Sequence, residues 1–366
     1  MQKSNNPLSS LNKLGQSFWI DYIDRALLET GQLNNMIEQD GLSGLTSNPS
    51  IFEKVISTTN NYDIDLKKAA AKNPSGSPQE WFEEVAIREI QQAADTLKNV
   101  YETTNMRDGY VSLEVSPLIA RDTKTTIEEA RRLWSRVGRN NLMIKVPATE
   151  EGFPAIEQLI SESINVNVTL IFSLEQYKKT AQSYIKGLSK VSAPNQVASV
   201  ASFFVSRVDT KVDALLEKVN KNTSKQLEGK TAIANARNAY KLFYDFFESP
   251  DFLKLKQKGA QAQRLLWGST STKNPNYPDT LYIDQLIGTS TVNTIPPATV
   301  DAFRDHGKAK ITLDKNSSAN DNTISDLTAL GINLEQVCAE LLEEGLTAFS
   351  DSYIGLLEAV STKGSE

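Results

Sequence analysis

The sequence contains very little cysteine and histidine. Its 366 residues include one Cys, Cys338, and one His, His306. A single cysteine cannot form an internal disulfide, and so few of these residues disfavour the usual zinc sites and the Ser-His or Cys-His nucleophile pairs. We predict a half-buried helix position for Cys338, a helix end for His306 and no metal site. Any chemistry must depend on carboxylates, amines, amides and hydroxyls.

Long apolar segments are also absent. No stretch approaches the length of a transmembrane helix, and the N-terminal residues lack the apolar segment of a signal peptide. The net charge of -6 argues against general nucleic-acid binding, although a small anionic substrate needs only one or two local cations. With 39% hydrophobic and 23% charged residues, the composition is typical of a globular protein. We expect a cytoplasmic protein, a monomer or homodimer, with no membrane or nucleic-acid partner.

Short segments rich in β-branched and apolar residues recur along the chain, and most precede a stretch of helical periodicity. Their spacing of about 25 to 33 residues fits one strand–helix unit each, and two gaps of about 65 residues leave room for extra helices. This pattern favours a closed (β/α)8 barrel. An open doubly wound sheet fits similar segments, although no G-x-G-x-x-G follows the first one. The eight segments cover residues 17–22, 42–48, 109–116, 141–147, 166–173, 198–206, 264–270 and 291–296.

The chain exceeds the roughly 250 residues of a typical barrel of this kind by enough for several inserted helices. We predict a single (β/α)8 TIM-barrel domain over residues 1–366, with helical insertions at about 50–108 and 208–262 and C-terminal helices at about 323–361. Residues 307–323 are polar and are predicted to form an exposed loop, and the STKGSE end a frayed tail. The C-terminal helices are expected either to cover the barrel mouth or to form an interface.

Side-chain alternation in the predicted strands separates a polar from an apolar face. Ser112 and Glu114 share one face of residues 109–116, and Asn167 and Thr169 share one face of their strand. In a barrel, the apolar faces pack on the helices, and polar residues near the C-terminal strand ends converge on one site. The alternation therefore predicts an active site at that end.

Lys145 lies in the segment LMIKVP, which is apolar on both faces, as a strand of a parallel barrel should be. Desolvation lowers the pKa of a lysine toward the range in which its free amine can attack a carbonyl, which favours a Schiff-base role. The alternative is a lysine at a strand end that pairs with a carboxylate or extends to solvent.

Glu114 and Asp21 stand among apolar or aromatic neighbours near predicted C-terminal strand ends. Schiff-base chemistry needs one group to dehydrate the carbinolamine and another to serve the hydroxyl beside the broken carbon–carbon bond, and two carboxylates suit both tasks. Either residue alone also fits the solvent-facing side of an edge strand. Together, Glu114, Asp21 and Lys145 on one inward rim favour an active site.

Other polar residues near the predicted strand ends are candidates for substrate binding. Asn167 and Thr169 suit substrate hydroxyls and a water, but also fit a half-exposed strand. Asn48 is predicted to be the N-cap of a helix with Pro49 in its first turn, which does not exclude contact with substrate. Arg207, Ser269 and Lys273 follow the sixth and seventh strands and are candidates for a phosphate group, with solvated surface charge as the alternative for Lys273. The expected substrate-binding residues are Thr46, Asn48, Asn167, Ser202, Arg207, Ser269 and Lys273.

At these residues the chain resembles the transaldolase family. GLTSNPSIFEKVI is similar to the family's asparagine-proline signature after strand two, NLMIKVPATEEGFPAIEQL to the segment around its Schiff-base lysine, and INVNVTLIFS to its fifth strand. FWIDYI, VSLEVSP and ASFFVSRVD match the other site strands. The resemblance extends from about residue 17 to about residue 300, and the combination of motifs is specific.

The resemblance implies Lys145 as the Schiff-base lysine, Glu114 as an acid/base acting through a water held with Thr169, and Asp21 as the group serving the hydroxyl at the cleaved bond. It places Asn48 and Asn167 at the dihydroxyacetone unit, and Ser202 and Arg207 toward the acceptor or phosphate end. The implied reaction moves dihydroxyacetone from sedoheptulose 7-phosphate to glyceraldehyde 3-phosphate, with these sugar phosphates as the only partners and no metal or organic cofactor.

One departure concerns the loop after strand seven, where many transaldolases carry an Arg. This chain reads LLWGSTSTKNPNYPD and resembles a longer subgroup with Lys in the TKNP stretch. Three rival functions remain open: an aldolase that releases dihydroxyacetone, a sugar-phosphate isomerase on the same barrel, and an inactive barrel used for binding. Glu114 favours transfer over the aldolase, whose relatives typically carry a different polar residue there. An isomerase needs no Schiff-base amine, and an inactive barrel leaves the burial of Lys145 and two carboxylates unexplained.

Overall fold

A closed barrel of parallel strands forms the centre of the protein. The computed structural model describes residues 6–219, 221–318 and 321–365. Each strand pairs with the next along the chain, and the eighth pairs with the first, which confirms the predicted (β/α)8 barrel. The strands are β1 (Gln16–Asp21), β2 (Gly44–Thr46), β3 (Tyr110–Glu114), β4 (Leu142–Pro147), β5 (Val166–Ile171), β6 (Ser199–Phe204), β7 (Arg264–Gly268) and β8 (Thr291–Ile295).

Helices surround the barrel, and several lie within each of the two long chain segments that separate neighbouring strands. Four of them lie between β2 and β3, and another four lie between β6 and β7. The helices are α1 (Pro7–Lys13), α2 (Arg25–Glu29), α3 (Gln32–Asn35), α4 (Pro49–Thr58), α5 (Asp63–Lys72), α6 (Pro78–Thr96), α7 (Lys98–Thr103), α8 (Thr123–Val137), α9 (Gly152–Ser161), α10 (Leu174–Leu188), α11 (Ser206–Val219), α12 (Asn222–Lys225), α13 (Thr231–Phe247), α14 (Pro250–Lys256), α15 (Leu281–Gln285), α16 (Pro297–His306), α17 (Thr323–Ala329) and α18 (Leu334–Ser365). None of the helices in this described part of the chain is long and apolar enough to cross a membrane.

Two apolar cores follow from the alternation of side chains along the strands. A large core lies between the outer faces of the strands and the helices. A small core fills the interior of the barrel below the site, where Gly44 is required because a Cβ there would lie 2.4 Å from the indole of Trp19. The interior core consists of Trp19, Tyr110, Met143, Ala198, Val200, Leu266 and Val292.

The N-terminal end of the barrel is closed by a buried ion pair. The guanidinium of Arg264 lies 3.0 Å from the carboxylate of Asp108, and both side chains are 9% exposed. The same carboxylate accepts hydrogen bonds from the hydroxyl of Ser17 at 2.7 Å and from the indole nitrogen of Trp19 at 3.0 Å. Because the Asp108 carboxylate is paired with Arg264 and hydrogen-bonded to Ser17 and Trp19, the ion pair can remain charged inside the barrel. This network fills the N-terminal end of the barrel with paired polar groups.

The backbone of β5 departs from regular alternation next to the site. Leu170 has a φ of 57°, and the pairing of β5 with β6 shifts register between Val168 and Ile171. Such a bulge re-aims the side chains beside it. The residue that precedes the bulge is Thr169, one of the predicted site residues.

Three predictions outside the barrel need correction. The predicted frayed tail is wrong, because α18 continues to Ser365 and Lys363 donates hydrogen bonds at 2.6 Å to Asp63 and to the carbonyl of Thr59. Cys338 is buried rather than half-buried, at 1% exposure. The polar loop, predicted to be exposed, is only partly so: among its described residues, as many are half-buried as exposed, and Leu313 is buried with its amide donating to the carbonyl of Ile287.

Candidate active site

A pocket of about 770 Å³ opens at the C-terminal ends of the strands. Its wall combines charged and hydroxyl side chains from β1, β2, β4, β5 and β6, from the start of α11 and from the loop that follows β7. Glu114 and Asn167 do not line the pocket but lie directly behind residues that do. The predicted site residues on its wall are Asp21, Thr46, Asn48, Lys145, Thr169, Ser202, Arg207, Ser269 and Lys273.

Lys145 and Glu114 form a buried ion pair at the floor of this pocket. They stand opposite each other in the register of β3 and β4, and Nζ lies 3.0 Å from Oε2 with the side chains 6% and 3% exposed. Nζ also donates a hydrogen bond of 3.0 Å to the carbonyl of Ser47. Burial raises the pKa of Glu114, and the positive charge of Lys145 opposes that rise. A raised pKa brings the carboxylate closer to accepting a proton from the amine.

Asp21 approaches the same amine from the other side of the barrel. Burial raises the pKa of its carboxyl, whereas the charge of Lys145 and the hydroxyl of Thr46 lower it. The Thr46 hydroxyl donates a hydrogen bond of 2.6 Å to Oδ1 of Asp21 and lies 2.7 Å from the hydroxyl of Thr294. The hydroxyls fix the carboxylate at a position from which it can exchange a proton with a substrate.

Asn167 stands at the height of Lys145, whereas Thr169 lies one layer nearer the pocket mouth. Lys145 pairs with Asn167 in the strand register, and Pro147 pairs with Thr169. The amide of Asn167 donates to the hydroxyl of Ser112 at 3.1 Å and accepts from that of Ser202 at 2.7 Å. The hydroxyl of Thr169 and Oε1 of Glu114 have no hydrogen-bond partner among the described residues, whereas Oε2 of Glu114 is held by Lys145. The Thr169 hydroxyl and Oε1 are therefore free to bind a substrate or a water.

Asn48 has the helix-capping role that the sequence predicts. Its side chain accepts a hydrogen bond of 3.0 Å from the amide of Ile51, and Pro49 opens α4. Asn48 also lines the pocket, and the cap uses only its side-chain oxygen. The carbonyl of the preceding Ser47 bonds Lys145, so this one turn supports both the helix and the nucleophile.

Cationic side chains mark the outer end of the pocket. Burial lowers the pKa of Arg207, and the charge of Asp21 opposes the effect. Partial burial and the charge of Arg207 lower the pKa of Lys273. Ser269, in the left-handed region with a φ of 54°, lies 2.9 Å from the hydroxyl of Ser206. Two cations that repel each other can share a phosphate dianion.

Comparison with known proteins places the chain in a family. The transaldolase/fructose-6-phosphate aldolase family matches residues 18–360. A transaldolase of Trichodesmium erythraeum is 44% identical over 98% of this chain and 97% of its own length. A transaldolase of Neisseria gonorrhoeae is also 44% identical, over 96% of this chain and 98% of its own length, and transaldolase 2 of a Nostoc species is 43% identical over 98% and 97%.

The chain belongs to the transaldolase/fructose-6-phosphate aldolase family. In this family member the pocket also includes residues that sequence reasoning missed. Thr294 and Phe204 lie on its wall, and Phe349 reaches it from α18. Thr294 follows the polar Asn293, so alternation in β8 does not tell which of the two faces inward. No signal in the sequence places Phe349, because its contact depends on how α18 crosses the barrel mouth.

The ionisable groups of the site include one close ion pair, between Lys145 and Glu114. Within the part of the chain that the structure describes, no three His, Cys, Asp or Glu side chains converge as ligands to one metal ion would. His306, at the end of α16, lies 2.8 Å from the carboxylate of Asp279 on the surface.

Proposed function

We propose that the protein is a transaldolase that moves a dihydroxyacetone unit reversibly from sedoheptulose 7-phosphate to glyceraldehyde 3-phosphate, giving erythrose 4-phosphate and fructose 6-phosphate. The observation that carries the proposal is the contact of 3.0 Å between Nζ of Lys145 and Oε2 of Glu114 at the floor of the pocket. A lysine with a proton acceptor in contact and a pocket above it can form a Schiff base with a ketose.

In the first half of the reaction, Glu114 takes a proton from Lys145, and the free amine attacks the substrate carbonyl at C2. The carbinolamine then loses its hydroxyl as water, and the proton for that step comes from Glu114 through a water held with Thr169. Support comes from Oε1 of Glu114 and the hydroxyl of Thr169, which have no hydrogen-bond partner among the described residues. General acid–base assistance of this kind contributes about 10²- to 10⁴-fold to a rate.

In the second half, Asp21 accepts the proton of the C4 hydroxyl while the bond between C3 and C4 breaks. The electron pair of that bond passes into an enamine on Lys145, and the aldose leaves. An acceptor aldehyde then takes the vacated position, the enamine attacks it, and Asp21 returns the proton to the new hydroxyl. The raised pKa of Asp21 supports this role, because a base works best when its pKa approaches the working pH.

The remaining predicted residues are assigned to substrate binding. Asn48, Thr46 and Asn167 would hold the dihydroxyacetone unit near Lys145, with one N–H of Asn167 left after its bonds to Ser112 and Ser202. Ser202 lies toward the acceptor end. Arg207, Ser269 and Lys273 would bind the phosphate group. A cytoplasmic location and a monomeric or homodimeric state stay predictions from the sequence.

The decisive experiment traps the Schiff base. The protein is incubated with fructose 6-phosphate and reduced with borohydride, and the adduct is located by peptide mass spectrometry. We expect a three-carbon adduct on the peptide that contains Lys145 and none after Lys145→Met. Lys273→Met is the matched control, because it removes the other lysine assigned to the site and should leave the adduct in place. An unmodified Lys145 in the wild-type protein would overturn the proposal.

A second measurement separates transfer from simple aldol cleavage. Product formation from fructose 6-phosphate is followed with and without erythrose 4-phosphate. A transaldolase turns over only with the acceptor and yields sedoheptulose 7-phosphate, whereas an aldolase releases free dihydroxyacetone without it. An isomerase would convert the sugar with no adduct on Lys145.

A further inference from the structure

The loop that carries Lys273 is held by contacts outside the pocket. Lys273 donates a hydrogen bond only to Ser271 and pairs with no carboxylate that the structure describes. A long, exposed side chain without an ion pair depends on its backbone for its position. That backbone, between β7 and α15, has little regular secondary structure. Other residues must therefore fix the loop.

A contact between Asp213 of α11 and Tyr277 of the loop fixes the loop in place. The hydroxyl of Tyr277 donates a hydrogen bond of 2.7 Å to Oδ2 of Asp213, while Oδ1 accepts one of 3.1 Å from the amide of Gly229. The Tyr277 ring also packs on Gly229, where a Cβ would lie 2.9 Å from Cζ of the ring and φ is +70°. The carboxylate of Asp213 thus connects α11 to Gly229, which precedes α13, and to Tyr277, which lies four positions after Lys273 in the loop.

A second pair, one turn earlier on α11, has the same form. The hydroxyl of Tyr282 donates a hydrogen bond of 2.9 Å to Oδ2 of Asp209, and Oδ1 of Asp209 accepts one of 2.7 Å from the amide of Ala232 at the start of α13. Both pairs line a cavity of about 180 Å³ that also includes Lys273. Lys273 is therefore the residue shared by this cavity and the active-site pocket.

We propose that Asp213 and Tyr277 are positioning residues that set the place of Lys273 and hence the affinity for the phosphate end of the substrate. The inference rests on the proposed function, because it assigns Lys273 to the substrate phosphate. The Asp209–Tyr282 pair supports the same loop from its far end. Neither tyrosine touches the reacting atoms, so their effect is on binding and not on the chemical step.

The test compares Tyr277→Phe with Tyr184→Phe in the full-length protein. The first variant keeps the ring on Gly229 but removes the bond to Asp213. The second removes a buried tyrosine hydrogen bond of 2.7 Å, to the carbonyl of Gln261, outside the pocket. We expect Tyr277→Phe to raise KM for fructose 6-phosphate and glyceraldehyde 3-phosphate about tenfold, the factor that a loss of 1.4 kcal/mol produces, with kcat within about twofold of the wild type. KM for unphosphorylated glyceraldehyde as acceptor should not change, and Tyr184→Phe should change neither KM.

A double-mutant cycle with Lys273→Met distinguishes positioning from general destabilisation. If Tyr277 acts through Lys273, Tyr277→Phe has no further effect on KM in the Lys273→Met protein. Additive effects would overturn the inference, as would an unchanged KM in an active Tyr277→Phe enzyme. Should Tyr277→Phe fail to fold, Asp213→Ala and Asp213→Asn replace it: the amide oxygen of Asn still accepts from Tyr277, so Asn should retain the low KM that Ala loses. Failure of the proposed function would show separately, as a wild-type protein without an adduct on Lys145.

Discussion

Nζ of Lys145 lies 3.0 Å from Oε2 of Glu114, the residue directly opposite it on the neighbouring strand. The strand register places the two groups in contact, so no loop has to close for a proton to pass between them. Breaking a buried pair by removing one charge leaves the other uncompensated. The protonation states of the proposed nucleophile and its base are therefore linked, and substitutions at one residue must be interpreted with the other in mind.

Replacing Glu114 with Gln should lower kcat about 10²- to 10⁴-fold, because an amide of similar size cannot accept or return a proton. KM for fructose 6-phosphate should change little. The measurement is steady-state transfer to erythrose 4-phosphate, with the rate of borohydride trapping recorded in parallel. Glu89→Gln is the matched control, since it removes a buried carboxylate of α6 that does not line the pocket. A kcat near that of the control would exclude Glu114 as the base.

Asp21→Asn should separate Schiff-base formation from bond cleavage. Lys145 can still condense with the ketose, but no group accepts the proton of the C4 hydroxyl, so the intact six-carbon adduct should accumulate. Borohydride reduction followed by mass spectrometry distinguishes it from the three-carbon adduct of the wild type. A three-carbon adduct formed at the wild-type rate would show that another group serves the hydroxyl.

The pH dependence of the wild type should reflect Asp21. Burial raises the pKa of its carboxyl above the ordinary value of 3.8. Since the proposed base must be ionised, kcat should fall on the acidic side at a pH above 3.8, and the fall should shift when Thr46→Val removes the hydrogen bond that lowers this pKa. The expected shift is toward higher pH, measured as the acidic limb of the kcat profile. An acidic limb at or below the ordinary aspartate range would contradict the assignment.

Asp108→Ala should destabilise the protein by about 3 to 5 kcal/mol, because Arg264 would remain charged and uncompensated inside the barrel. Asp108→Asn should cost less, since its amide oxygen can still accept from Ser17 or Trp19. Urea unfolding at neutral pH measures the difference. Asp251→Ala serves as control: its pair with Lys254 is exposed and should contribute no more than about 1 kcal/mol. Equal losses for Asp108→Ala and the control would refute the prediction.

Glu89 should make the protein less stable as pH rises through the mildly acidic range. Burial raises the pKa of its carboxyl from 4.5 to about 7, against the opposing charge of Arg25. The folded protein binds this proton more tightly than the unfolded chain does. The free energy of unfolding therefore falls by roughly 3 kcal/mol as the pH rises from 4.5 to about 7. Glu89→Gln should remove this fall. The prediction is checked by measuring the free energies of unfolding of the wild type and of Glu89→Gln at pH 5 and pH 8. The same change with pH in both proteins would rule it out.

The sequence predicts the barrel well because each strand alternates in a way that does not depend on its partners. Alternation predicts inward faces for Glu114 and Asn167, whereas the segment of Lys145 is apolar on both faces and does not alternate. The strand register puts all three residues at one height. The family resemblance then supplied their proposed roles, which the geometry supports but does not test. Alternation was informative for Glu114 and Asn167 because both lie on strands.

Contacts between distant parts of the chain could not be predicted in the same way. Phe349 lines the pocket only because α18 crosses the barrel mouth and Ser352 lies 2.8 Å from the hydroxyl of Ser50 on α4. The polar STKGSE end indicated fraying, whereas Lys363 finds Asp63 three hundred residues away in the chain. Local composition contains no information on such partners.

The bulge at Leu170 links the outside of the barrel to its interior. Leu170 packs against Gly345 of α18, where an added Cβ would lie 3.0 Å from its Cδ2, and the residue before it presents the free hydroxyl of Thr169 to the pocket. A larger side chain at position 345 would press on the side chain of Leu170, the residue next to Thr169. The smallness of one helix residue thus sets the spacing between a surface helix and a group that we assign to the chemistry. Selection for catalysis would then act on a glycine that never meets the substrate.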